Sequence, residues 1–125
     1  MGGRGTYAAG NFVSYTYETV GYIEDVKVLR GLGNKHDLPV ESHSSNAYIK
    51  LHSDGTLSML RIYDSDHYLT MEIAYHPERK LTGNSDRVLH VHYYDRNLNR
   101  TTAAYLDRAT FEKYEKYLKG IKWYD

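Results

Sequence analysis

The chain has 125 residues, no cysteine, and 16 Lys+Arg against 16 Asp+Glu, so its formal net charge is zero. That length suits one domain burying roughly two-thirds of its unfolded surface, and the lack of cysteine excludes disulfides, a cysteine nucleophile and thiolate metal sites. Zero net charge argues against strong sequence-independent nucleic-acid binding. No signal peptide opens the chain and no apolar stretch approaches the roughly 20 residues of a membrane span, so a cytoplasmic location and no membrane partner are expected.

Residues 1–11, with Met1-Gly2-Gly3-Arg4-Gly5 at their head, read as a flexible glycine-rich tail, since glycine loses the most backbone entropy on ordering. Residues 12–125 read as a single α+β domain. Between Phe12 and Arg30 the signal is mixed. Tyr15 and Tyr17 alternate, Val20, Ile23, Val26 and Leu29 recur every three residues, and Gly21 disfavours a helix. A short strand near Asp25–Arg30 is the preferred reading. Gly31 to Asn46 is polar, contains Pro39 and reads as a long loop.

From Ala47 the alternation is clear. Ala47, Ile49 and Leu51 face one way, and Tyr48, Lys50 and His52 the other. Ser53-Asp54-Gly55 is a hairpin signal, with the return strand at Thr56–Tyr63. After the polar turn Asp64–His67, Leu69, Met71, Ile73 and Tyr75 alternate with Thr70, Glu72, Ala74 and His76. Pro77 ends that strand, having no N–H to give. A charged loop follows through Asp86, then a strand over Arg87–Tyr94, and Thr101–Leu106 is strand or loop. Phe111, Tyr114, Leu118 and Ile121 lie at helical spacing, with Asp107 or Thr110 as cap and Gly120 as stop.

The expected architecture is an antiparallel meander of four to five strands, covered on one face by the C-terminal helix. The covered face comprises Ala47, Ile49, Leu51, Leu60, Ile62, Leu69, Met71, Ile73, Leu89 and Val91. The 14 tyrosines, against 2 Phe and 1 Trp, are expected at the margins of the sheet with their hydroxyls in water.

The opposite face gathers Tyr48, Lys50, His52, Arg61, Tyr63, Glu72, His76, His90, His92 and Tyr94. His90 and His92 share a face about 6.5–7 Å apart, and antiparallel pairing brings His76 or Glu72 close to one of them. Three readings compete. The histidines act as general acid and base on a phosphodiester without metal, Arg61 stabilising charge and Glu72 orienting an imidazole. Alternatively, His76, His90 and His92 hold a divalent ion such as zinc. Or these are solvated residues on an exposed face. His36, His43, His52 and His67 read as surface or turn residues, and Glu78-Arg79-Lys80 as a solvated loop. Asp64-Ser65-Asp66 lacks the Gly and terminal Glu of a calcium loop.

The start Met1-Gly2-Gly3-Arg4-Gly5 resembles that of small proteins encoded in prophages of Gram-positive bacteria. The blocks Leu60-Arg61-Ile62-Tyr63-Asp64, Met71-Glu72-Ile73, His76 and Leu89-His90-Val91-His92 are similar to a pattern in the same proteins. Related blocks occur in C-terminal domains of phage head-morphogenesis proteins and in some polymorphic toxins. The resemblance covers residues 57–94 and the first five. Ser65-Asp66-His67 and Leu89 depart from the Gly or Asn and the Pro usual there. It implies a phage or prophage setting and a toxin-like role, with His76, His90 and His92 the positions concerned.

The sequence thus points to a phage-associated accessory or toxin-like domain. Its expected chemistry is metal-independent RNA cleavage by His90, His92, His76, Glu72 and Arg61, with no cofactor. The alternative is a non-catalytic structural or interaction module. The partner is RNA or another protein, and a homo-oligomer is compatible with either.

Overall fold

The computed structural model describes residues 17–31, 38–39, 42 and 45–124; the expected tail 1–11, His36 and His43 lie outside them. Six strands form one sheet, ordered as in the chain: β1 (Tyr17–Ile23), β2 (Val26–Gly31), β3 (Ala47–Leu51), β4 (Leu57–Tyr63), β5 (Leu69–Pro77) and β6 (Arg87–Tyr93). The fold is α+β, as expected. The meander of four to five strands is corrected to a mixed sheet of six, because β2 and β3 run parallel while every other neighbouring pair is antiparallel. The long connection over residues 32–46 allows this, since a parallel pair needs a crossover of about a dozen residues or more.

The mixed signal before Arg30 has a structural cause. The β1–β2 register shifts between Thr19 and Gly21. That bulge inserts Val20 and breaks the alternation of β1; the step from Ile23 to Val26 crosses the turn into β2, and Leu29 packs on the opposite face from Val26 and Val28. Val20, within the bulge, is exposed, whereas Ile23 and Val26 are buried.

The hairpin between β3 and β4 turns at Asp54-Gly55, where Gly55 takes a φ of 88°. The Asp54 carboxylate accepts from the Thr56 N–H and hydroxyl and meets Arg87. These bonds, Thr56's first, hold its pKa far below the ordinary 3.8. A carboxyl depressed on folding stabilises above its unfolded pKa and loses that contribution as pH falls. We expect Asp54→Asn to lower the melting temperature at pH 6, and the gap from the native chain to begin closing below pH 3.8; thermal melts across pH check this.

One face of the sheet carries the main core: Val28, Ile49, Leu60, Met71, Ile73, Leu89 and Val91, closed by Leu106, Phe111 and Leu118. Of the residues assigned inward, Leu69 is the correction. The β4–β5 register shifts between Ile62 and Tyr63, so Leu69 pairs with Tyr63 and Met71 with Ile62. The inserted residue, Thr70, turns Leu69 to the other face, where it packs with Tyr48 and Tyr63. The C-terminal helix is shorter than its apolar stripe: α2 (Arg108–Tyr114) gives way to a 3-10 turn over Glu115–Tyr117. A first short helix, α1 (Arg79–Thr82), lies in the charged loop. Asp107 caps α2, accepting from the Thr110 N–H at 2.7 Å. Trp123 and Tyr124 help to cover this core.

Candidate functional site

The second face is built by register. Tyr48, Arg61, Glu72 and His92 form one cross-strand row; Lys50, Met59, Ala74 and His90 form the next. Strand parity therefore gathers the expected polar side chains opposite the helix. The reading of this face as solvated is corrected: Arg61 is 7%, Glu72 5%, His90 3% and His92 4% exposed. Tyr48 and Tyr63 are buried there too, on inner strands and not at the sheet margin, and Tyr17 is buried although it lies on the terminal strand β1. The reason is cover on both sides. Leu38 and Pro39 lie over the Arg61–Tyr63 end, accepting from the Arg61 guanidinium at 2.8 Å and from the Tyr63 hydroxyl. Beyond β6, residues 100–104 return beside the strand, with Ala104 bridged to Val91 and Arg100 to Tyr94.

Arg61 and Glu72 face each other. Arg61 Nε donates to Glu72 Oε1 at 2.7 Å, and both side chains are under one-tenth exposed. Burial draws the guanidinium pKa down, but the Glu72 carboxylate outweighs it and leaves the pKa raised. The cation assigned to charge stabilisation and the carboxylate assigned to an imidazole are thus each other's partners. A buried ion pair of this kind holds its place because either half alone is costly.

His76 stands apart from the other two site histidines. Its Nε2 is 3.0 Å from Ser58 Oγ, and its ring centroid is 5.0 Å from that of His52. Burial, then the His52 imidazole, lowers its pKa. His52 is half-buried and donates from Nε2 to the Tyr75 carbonyl at 2.8 Å. His67 closes the turn with Asp64 and bonds Ser42.

His90 and His92 pack edge to face, ring centroids 5.3 Å apart. His90 Nδ1 lies 2.8 Å from the Val88 carbonyl and His92 Nδ1 2.8 Å from that of Thr101. A carbonyl only accepts, so each Nδ1 carries the hydrogen and each neutral ring keeps its lone pair at Nε2. Burial lowers the His90 pKa, against the Val88 bond that raises it; His92 adds to the lowering. His90 is therefore held in its neutral form near pH 7.

Glu78 completes this cluster. One ligand atom from each of Glu78, His90 and His92 lies within 4.8 Å of the other two. The side chain follows the parity of Glu72, Ala74 and His76 one step past the end of β5, which is the signal that could have found it. Beside the cluster opens a cleft of about 440 Å³, lined by Glu78, Lys80, His92, Arg100 and Thr101 among others. Of the two histidines, His92 lines this cleft and His90 does not. Sequence reading missed Glu78, which lies just past the end of β5, and Arg100 and Thr101, which belong to a segment whose place beside β6 no alternation encodes.

No family model, no curated protein and no solved structure matches this chain. Among the described residues no helix is long and apolar enough to cross a membrane.

Proposed function

We propose that this chain is a phage- or prophage-associated toxin-like protein that cleaves RNA phosphodiesters without metal at the cleft beside His92. One observation carries the reading. A buried imidazole with its Nδ1–H tied to the Thr101 carbonyl sits on the wall of a cleft that also holds Lys80 and Arg100. A neutral imidazole of fixed tautomer is suited to accept a proton. In this reading His92 Nε2 takes the proton of a ribose 2′-hydroxyl as its oxygen attacks phosphorus. The bond to the 5′-oxygen breaks, and that oxygen regains a proton from the His90–His92 pair. Lys80 and Arg100 offset the added negative charge, the part first assigned to Arg61.

The test is cleavage of single-stranded RNA by the native chain and by His90→Ala plus His92→Ala, with chelator present. We expect cleavage by the native chain, loss in the variant, and no cleavage of DNA, which lacks the 2′-hydroxyl. Absence of cleavage by the native chain, or equal cleavage by both, overturns the reading. The interaction-module alternative draws on β1, where Val20 and Tyr22 are 53% and 63% exposed on a terminal strand. It is the reading favoured if the native chain cleaves nothing and light scattering finds a dimer.

A further inference from the structure

The Glu78–His90–His92 cluster has a chemistry that proton transfer does not use. Each imidazole donates its Nδ1–H to a backbone carbonyl, the arrangement by which metal-binding histidines are oriented and kept in the right tautomer. The opposite nitrogen of each ring has no hydrogen-bond partner among the described residues. Glu78 precedes α1 and its backbone carbonyl accepts from Leu81 and Thr82, yet its carboxylate makes no cap bond to that helix and no ion pair or hydrogen bond among the described residues. Each of the three residues brings one ligand atom within 4.8 Å of those of the other two, and each keeps a donor atom without a hydrogen-bond partner among the described residues.

Two imidazoles and one carboxylate form a familiar zinc donor set that leaves the fourth position open. With metal–ligand bonds of about 2.0–2.1 Å, tetrahedral donor atoms stand roughly 3.3 Å apart. The donor atoms, within 4.8 Å of one another, stand wider than that, so binding must draw them together; Glu78, half-buried and just past the end of β5, is the donor that no strand fixes. His90 and His92 are fixed by strand β6 and by their carbonyl acceptors. Lys80 and Arg100, which line the adjoining cleft, oppose a bare cation but suit an anionic fourth ligand on it.

We infer that Glu78, His90 and His92 bind one zinc-class divalent ion, with its open position toward the cleft. The ion takes the lone pairs that proton transfer would use, so the metal-bound state and the acid–base state exclude each other at His92. The inference stands on the donor geometry and does not require that the cleft cleave RNA.

The experiment uses the full chain, freed of metal by chelator and dialysed. It is titrated with zinc by calorimetry and with cobalt(II) by visible absorption. We expect one ion per chain and an intense tetrahedral-type cobalt spectrum. Glu78→Gln should weaken zinc by at least the roughly 10–100-fold that even outer-sphere partners contribute, and His92→Ala should remove the cobalt spectrum. His52→Ala should leave both unchanged. Glu78→Gln alters a half-buried residue between β5 and α1, so a folding failure at His92 does not blunt the test. No stoichiometric binding, or equal affinity in the native chain and Glu78→Gln, overturns the inference. Zinc binding by a chain that cleaves no RNA supports it and leaves the acid–base reading to fall alone.

Discussion

Arg61→Met is expected to cost about 3–5 kcal/mol of folding stability, the largest loss from any single substitution on the second face. The change keeps much of the side-chain volume but leaves the Glu72 carboxylate buried without its cation. It also removes the donor to the Leu38 carbonyl at 2.8 Å, one of the bonds that hold the covering segment to the sheet. Most of that cost is the uncompensated charge, so Arg61→Met with Glu72→Leu should recover a large part of it. Against a typical domain stability of about 5–15 kcal/mol, the single variant would be marginal and the double variant well folded. Urea unfolding midpoints of the two variants and the native chain read this directly. A loss under about 1 kcal/mol for Arg61→Met, with no rescue in the double variant, would mean that the pair is not structural and would return Arg61 to consideration as a group that meets substrate.

The second large effect is on cleavage. His92→Ala should lower the RNA cleavage rate by roughly 10²–10⁴-fold, the usual worth of a positioned general base. Arg100→Ala, which removes an exposed cation from the cleft, should cost no more than about fivefold, since exposed charge interactions are worth up to ~1 kcal/mol. Glu72→Leu in the Arg61→Met background should retain activity if it retains fold, because those two side chains are engaged with each other. Initial rates on a fluorescent RNA oligonucleotide give the ranking. A ranking with the Arg61–Glu72 pair above His92 would contradict it.

The alternation of Ile49, Leu60, Met71, Ile73, Leu89 and Val91 was legible because a residue that slips by one position on a strand changes face. The same parity collected Arg61, Glu72, His90 and His92 opposite the helix. What alternation could not show was where it is interrupted. The bulge that flips Leu69 rests on Thr70, an ordinary strand residue, and the bulge near Gly21 hid the first strand in a mixed signal from which only a strand near Asp25–Arg30 was read. Nor could parity say that the second face is covered. Its polar residues satisfy one another, Arg61 with Glu72 and both histidines with backbone carbonyls, so they bury without the apolar sequence that normally marks an interior. The parallel pairing of β2 with β3 depends on a long connection whose path is not written in local periodicity. Leu118 keeps the helical spacing of Phe111 and Tyr114, yet the chain tightens after Tyr114 and delivers it to the core from beyond the 3-10 turn. Glu78 lay one step outside a strand that Pro77 closes, in a segment whose charges read equally well as solvated.

The Nδ1 hydrogens of His90 and His92 are held by the Val88 and Thr101 carbonyls, which leaves their Nε2 atoms to act. Long-range proton–nitrogen correlation of the histidine side chains, on metal-free uniformly labelled protein near pH 7, reports that tautomer atom by atom. His90 and His92 are expected to show a protonated Nδ1 and an unprotonated Nε2, in contrast to His52, whose Nε2 donates to Tyr75. Protonation of Nε2 in the neutral ring of His90 or His92, or rapid averaging between the two forms, would contradict the account.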